Sequence, residues 1–272
     1  MKFDILTLDL HNTIYDEVME YGLAIDEAIK LLPASREVLY EQLSIAHAKL
    51  GSDWDDDVWQ MLPCLANITP EVIKQAVAAR HAKSKELTVA YEGVVETLKT
   101  LKAKGVRIYI VTEAAADVGM QAVNWLGLGG IVTGVYTYPS RKNQIEVAGT
   151  FHKPFPKTAS GHLKKPDPLL LKQVLQDDGN AGEMLFVGDS KFKDGTMAKA
   201  AGVKFAWAAY GKKIPAGQEA NFERSKEILY AVTGWDKEVL KLTQEASRSK
   251  EIDELQPDYI LENNFSEILH IF

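Results

Sequence analysis

Asp9, Thr112, Asp189 and Asp194 stand at or just beyond the carboxyl ends of apolar runs, where a buried strand would deliver a polar side chain to a sheet edge. Asp9 lies at the end of Phe3 to Leu10, Thr112 closes Val106 to Val111, and Asp189 follows Met184 to Gly188, with Asp194 five residues further on. Three carboxylates gathered on one edge repel one another strongly at low dielectric and require a counter-charge. A divalent cation is the usual answer. Mg2+ favours few carboxylates, several waters and a substrate phosphate, which suits two Asp side chains and a backbone carbonyl. Lys165, stiffened by the following Pro166 and Pro168, adds a fixed positive charge beside the acids.

The elements that must position these groups are legible in the apolar pattern. Buried strands are expected at Phe3 to Leu10, Val106 to Val111, Ile131 to Tyr138, Met184 to Val187, Val203 to Ala208 and Asp258 to Leu261. Between several of them lie helical patterns, such as Val94, Leu98 and Leu101 at i, i+4 and i+7, closed by Gly105. After Asp167 a helix should carry Leu169, Leu170 and Val174 on its core face. Alternating strand and helix predicts an α/β fold with a doubly wound, mainly parallel, Rossmann-like sheet, whose ligands bind beyond the carboxyl ends of the strands.

Residues 14–90 break the alternation with about four helical stretches, which predicts an inserted α-helical cap domain. Ser35 can cap the helix running to Leu50, and Thr69-Pro70-Glu71 opens another. The core is then residues 1–13 and 91–272, including a long basic loop at 139–165 and a polar helical insert at 212–256. The loop holds six Lys or Arg against Glu146 alone, and Lys153 and Lys157 could bind a polyanionic leaving group.

Composition sets outer limits. The 272 residues are 46% hydrophobic and 25% charged, which excludes disorder and a collagen-like chain. A formal net charge of -7 argues against general binding to nucleic acid or anionic lipid. Cys64 has no partner for an internal disulfide, no run approaches the ~20 apolar residues of a membrane span, and the first residues lack a signal-peptide pattern. A cytoplasmic protein without a membrane role is expected; oligomeric state is open.

Asp9 to Thr13, Thr112, Lys165 to Pro168, and Gly188-Asp189-Ser190 through Asp194 resemble, in order, the four motifs of the haloacid dehalogenase-like (HAD) hydrolase superfamily. The resemblance spans residues 3 to about 210, and a helical insertion after the first motif is similar to one of the family's cap types. It implies a Mg2+-dependent phosphatase acting on a small phosphorylated metabolite. Asp9 would attack phosphorus to form an aspartyl-phosphate, Thr112 would hold phosphate oxygens, and Lys165 would stabilise nucleophile and phosphate. The metal would be held by Asp9, Asp189 and the His11 carbonyl, with Asp194 holding its water or orienting Lys165.

Two departures from the family pattern stand out. His11 occupies the position where family phosphatases usually carry an acid/base Asp, and an imidazole can exchange protons near neutrality. Glu113 follows Thr112 where a small or amide residue is common; it would either point to a helix N-terminus or bind a polar group of the substrate. Tyr15, just beyond the first motif, has a positional reason to face the substrate, whereas Tyr21, Trp54 and Trp59 are expected mostly in the cap's core. His11 and Glu113 keep two alternatives in view: a catalytically weakened module binding a phosphoryl ligand or protein, and a dehalogenase or phosphonatase-type hydrolase. The retained Asp189 and Asp194 fit a dehalogenase poorly, because that branch uses no metal.

Overall fold

The computed structural model describes residues 2–140, 145–159, 161–179, 182–234 and 256–272. In chain order, β1 (Ile5–Leu8) is followed by helices α1 (Glu17–Ile29), α2 (Arg36–Leu50), α3 (Asp56–Gln60) and α4 (Pro70–Leu87). Next come α5 (Val94–Ala103), β2 (Arg107–Ala115), α6 (Ala116–Trp125), β3 (Gly134–Tyr138), β4 (Phe151–Pro154) and the two-residue strands β5 (Lys157–Thr158) and β6 (Gly161–His162). The chain continues through α7 (Leu169–Asp177), β7 (Met184–Gly188), α8 (Thr196–Ala201), β8 (Lys204–Ala208), α9 (Glu219–Thr233) and β9 (Tyr259–Leu261).

Among the described residues, seven strands form one sheet in the order β4-β3-β2-β1-β7-β8-β9, and every neighbouring pair is parallel. The expected α/β class is therefore observed. Strands buried on both faces read as continuous apolar runs for a visible reason. Leu6, Leu8, Ile108, Ile110, Leu185 and Val187 enter one core, while Ile5, Tyr109, Val111, Met184 and Phe186 enter the other. From β1 the chain builds outward through β2, β3 and β4, then returns to place β7, β8 and β9 on the opposite side. The winding reverses between β1 and β7, which makes their carboxyl ends the topological switch point where α/β sheets bind ligands.

The chain divides into two compact units. Among the described residues, the first comprises 2–16, those of 89–213, and 256–272, and contains the sheet; the second comprises 17–88 and 214–234 and is helical. From sequence the cap is expected at 14–90 and the stretch from 212 in the core; in the structure the described part of the latter, 214–234, belongs to the helical unit. Its described helix, α9, packs on α1 and α2 within the helical unit. Gly22 of α1 makes that approach feasible, since a Cβ there would fall on Ser225 of α9. Trp235, Leu240 and Leu242 of the same predicted insert lie outside the described residues.

Within the helical unit, Ser35 caps α2 by accepting from the Val38 N–H, and Pro70 opens α4. Its core includes Leu39, Leu43, Val58, Trp59, Ile73 and Val77. A buried ion pair ties α4 to the segment after α2: Arg80 Nη2 is 3.1 Å from Asp53 Oδ1, and both side chains are nearly inaccessible. Tyr21 donates to Asp53 Oδ2 at 2.5 Å. Burial alone would raise the Asp53 pKa, but Arg80, His47 and Tyr21 outweigh it and hold the carboxyl well below its usual range.

The stretch 139–165 is not a single loop. Phe151–Pro154 adds a parallel edge strand beside β3, and Lys157–Thr158 pairs antiparallel with Gly161–His162. Arg141 and Lys142 lie outside the described residues. Lys153, expected at a leaving group, instead forms an ion pair with Asp177 at 2.7 Å, where Tyr136 also donates. Leu169 also departs from expectation: it is half exposed, and Leu171 takes its place in the core beside Leu170 and Val174.

Candidate active site

Asp9 follows β1 and extends its ladder by donating its N–H to Val187 O, at 2.8 Å. Asp189 follows β7, so the switch point brings the two acids together although they are distant in sequence. Beyond Asp189 the chain makes a π-helical turn, Lys191–Gly195, in which Gly195 N–H reaches Ser190 O at 3.1 Å. The extra residue of this wider turn places Asp194 back over the end of β7. Gly188 is the condition for that placement, because a Cβ on it would fall on the Asp194 carboxylate.

Lys165 joins these acids. Its Nζ lies 2.6 Å from Asp9 Oδ1 and 2.9 Å from Asp194 Oδ1, and its side chain is 3% exposed. Asp194 Oδ2 accepts the Ser190 N–H at 3.0 Å. Burial alone would lower the Lys165 pKa, but Asp194 and Asp9 overcome it and keep the ammonium charged. Burial raises Asp194 to about 7 despite Lys165, with Asp9 and Asp189 adding to the rise. Asp9 is raised in the same way, by burial and then by Asp189, against the pull of Lys165.

One oxygen from each of Asp9, Asp189 and Asp194 lies within 4.8 Å of the others, and all three residues are buried. Hard oxygen donors, ionisable and packed together, match what Mg2+ prefers. A metal-holding group is therefore consistent with this donor set.

Thr112 is fully buried in β2, the strand beside β1, and its Oγ1 accepts the Ala114 N–H at 3.2 Å. That bond leaves the hydroxyl proton to donate. Glu113 is not at a helix N-terminus: β2 continues to Ala115, and Glu113 Oε2 pairs with Lys193 Nζ at 2.9 Å. Tyr15 is 2% exposed within the core and presents its ring edge-on to His11, with centroids 5.6 Å apart. His11 itself is partly exposed, in a loop held by Asn12 N–H to Tyr15 O at 2.7 Å.

Lys212 was missed by the motif pattern. It ends a 3-10 turn, Ala209–Lys212, after β8 and places its Nζ 2.5 Å from Asp189 Oδ2. Trp207 of β8 donates its Nε1–H to Asp189 O at 2.9 Å. No fixed spacing from a motif marks Lys212; only the neighbouring position of β8 beside β7 could have indicated it.

An acid, a buried lysine and an oxygen-rich metal-type cluster thus meet at the switch point of a parallel sheet, where α/β folds place their ligands. The family model for haloacid dehalogenase-like hydrolases matches residues 3–202, and the chain belongs to that family. A phosphoglycolate phosphatase of Pseudomonas fluorescens (strain Pf0-1) is 30% identical over 223 residues, covering 76% of this chain and 70% of the relative. A phosphoglycolate phosphatase of Pseudomonas putida (strain KT2440) is 28% identical over the same length and coverage. The expected enzyme class, a phosphoric monoester hydrolase of this family, is the class these relatives' names describe.

Among solved structures, the magnesium-bound HAD-hydrolase YfnB of Bacillus subtilis is similar with a TM-score of 0.55 at 14% identity, covering 100% of this chain and 99% of that one. A predicted phosphoglycolate phosphatase from Haemophilus somnus 129pt gives 0.51 at 20% identity, covering 100% and 98%. At such identities these likenesses speak for the fold. Among the described residues, no helix is long and apolar enough to cross a membrane.

Proposed function

We propose that this chain is a Mg2+-dependent phosphatase that hydrolyses a small phosphorylated metabolite through an aspartyl-phosphate on Asp9. The observation that carries this reading is the contact of buried Lys165 with both Asp9 and Asp194, beside Asp189, at the switch point. A divalent cation held by Asp9, Asp189 and the His11 carbonyl, with Asp194 holding its water or orienting Lys165, would supply charge neutralisation for the nucleophile and the phosphoryl group.

The chain's own residues perform the rest. Asp9 attacks phosphorus in line, an Asp9 oxygen–phosphorus bond forms, and the bond to the leaving oxygen breaks. His11, in its protonated form, gives the leaving oxygen a proton; as the neutral imidazole it then takes one from the water that releases inorganic phosphate and regenerates Asp9. Thr112 donates its hydroxyl to a phosphate oxygen, and Lys165 neutralises charge on the nucleophile and transferring group. Glu113, held by Lys193, limits the positive charge around the anion and borders the substrate end. The helical unit would act as a cap that selects the leaving group, and the protein would work in the cytoplasm.

The names of the Pseudomonas relatives make 2-phosphoglycolate the first substrate to test. Hydrolysis of this ester and of a generic aryl phosphate should require Mg2+ and vanish in Asp9→Asn. Turnover that survives Asp9→Asn would remove Asp9 as nucleophile. Wild-type protein that binds but does not turn over a broad panel of phosphate esters would instead favour a phosphoryl-ligand module, the reading His11 keeps open.

A further inference from the structure

Among the described residues, two lysines touch the acidic cluster, and their settings differ. Lys165 is locked between Asp9 and Asp194 with 3% of its side chain exposed. Lys212 reaches Asp189 from the rim, with 47% of its side chain exposed and Asp189 at 8%. A half-solvated lysine stem can swing its ammonium into water at little cost, whereas a buried one cannot.

The placement of Lys212 is built into the backbone. Tyr210 OH donates to Thr13 O at 2.5 Å, and Gly211 lies so close to the Asn12 carbonyl that a Cβ would overlap it. These two contacts fasten the 3-10 turn to the loop that carries Asp9 and His11. The adjacent cations point elsewhere: Lys213 donates to Asn263 and Lys191 lies over the Trp207 ring. When Asp9, Asp189 and Asp194 are ionised, the two ammonium groups leave one negative charge uncompensated. Without Lys212, Asp189 would be a buried carboxylate with no paired cation among the described residues, a costly state.

We infer that Lys212 is a built-in counter-cation of the metal-holding carboxylates: it pairs with Asp189 when no divalent cation is bound and opposes the cation's entry, so it sets the site's metal affinity. This rests on the reading that Asp9 and Asp189 hold the cation. The ammonium and a divalent ion compete for the same carboxylate charge, and cation entry either displaces Lys212 into water or brings like charges within a few Å. Such repulsion at a half-exposed position corresponds to about a tenfold weaker metal affinity. Lys212 is accordingly a positioning residue acting through Asp189, not a group touching the reacting atoms.

The test is direct Mn2+ binding to the full chain without substrate, followed by electron paramagnetic resonance, for wild type, Lys212→Gln, Lys212→Met, Lys212→Arg and Asp189→Asn. Lys212→Gln and Lys212→Met should each bind Mn2+ about tenfold more tightly than wild type, and Lys212→Arg should behave like wild type. The half-exposed stem makes both neutral variants compatible with folding, and Lys212→Met preserves its packing. Wild-type binding that is lost in Asp189→Asn but unchanged or weakened in the neutral variants would overturn the role of Lys212 and leave the metal site standing. No Mn2+ binding by any of the proteins would overturn both.

Discussion

Gly188 and Asp194 are packed against each other so that the end of β7 has no room for a side chain beneath the Asp194 carboxylate. Gly188→Ala should therefore push Asp194 away from Lys165 while leaving the strand intact. A misplacement of about 1 Å at such a site can cost 100-fold, so kcat/KM should fall by at least about that factor. Steady-state kinetics with circular dichroism checks this; near-normal turnover would show that Asp194 does not need its observed position.

Lys165→Met removes the charge that Asp9 and Asp194 share. Taking one partner from a buried ion pair costs about 3–5 kcal/mol, so the metal-free protein should lose stability on that scale at neutral pH. Turnover should drop by about 100-fold or more from lost stabilisation of the transferring group. Urea unfolding and single-turnover assays separate the two effects.

Glu113→Gln should tighten inhibition by inorganic phosphate by about threefold, the scale of a partly exposed ion pair. The reason is that Glu113 partners Lys193 and also acts electrostatically on Lys165. An inhibition constant unchanged or weakened in the variant would place Glu113 outside the phosphate's field.

In the helical unit, Asp53 has a folded pKa depressed below its unfolded value. Its contribution to stability is thus present above about pH 4 and lost as pH falls toward the depressed value. Asp53→Asn should remove that part of the acid dependence and, by leaving Arg80 buried without its carboxylate, destabilise the protein by about 3–5 kcal/mol at neutral pH. Thermal melts between about pH 3 and 7 give both numbers.

The central strands and the acids at their ends were legible because strands buried on both faces leave continuous apolar runs, interrupted only where polar groups emerge. The edge strand β4 was not: Phe151-His152-Lys153-Pro154 is exposed or half-buried along its length and ends in a proline, the composition of a loop. α9 carried a helical pattern, but nothing local in a polar helix states which unit it joins; Gly22 against Ser225 does so only in three dimensions. Asp9, Asp189 and Asp194 are legible together because the ends of β1 and β7 fix them, whereas Lys165 lies in the segment before α7 and is legible from its Lys-Pro-Asp-Pro string. Lys193 and Lys212 carry no such mark in the sequence, because lysines are ordinary on surfaces and their acidic partners come from β2 and from the end of β7.

The position of β1 at the centre of the sheet has a consequence for how the molecule comes into being. In chain order β1 precedes both its neighbours in the sheet, which lie far downstream at Arg107–Ala115 and Met184–Gly188. Non-local parallel pairing of this kind is slow to form, because long loops must close before any contact rewards them. An emerging chain therefore carries the apolar β1 segment with one flank unpaired until β7 has left the ribosome. Asp9 then meets Asp189 in the same event that closes the core, so nascent chains ending before residue 188 should lack both protease resistance and any trace of the site.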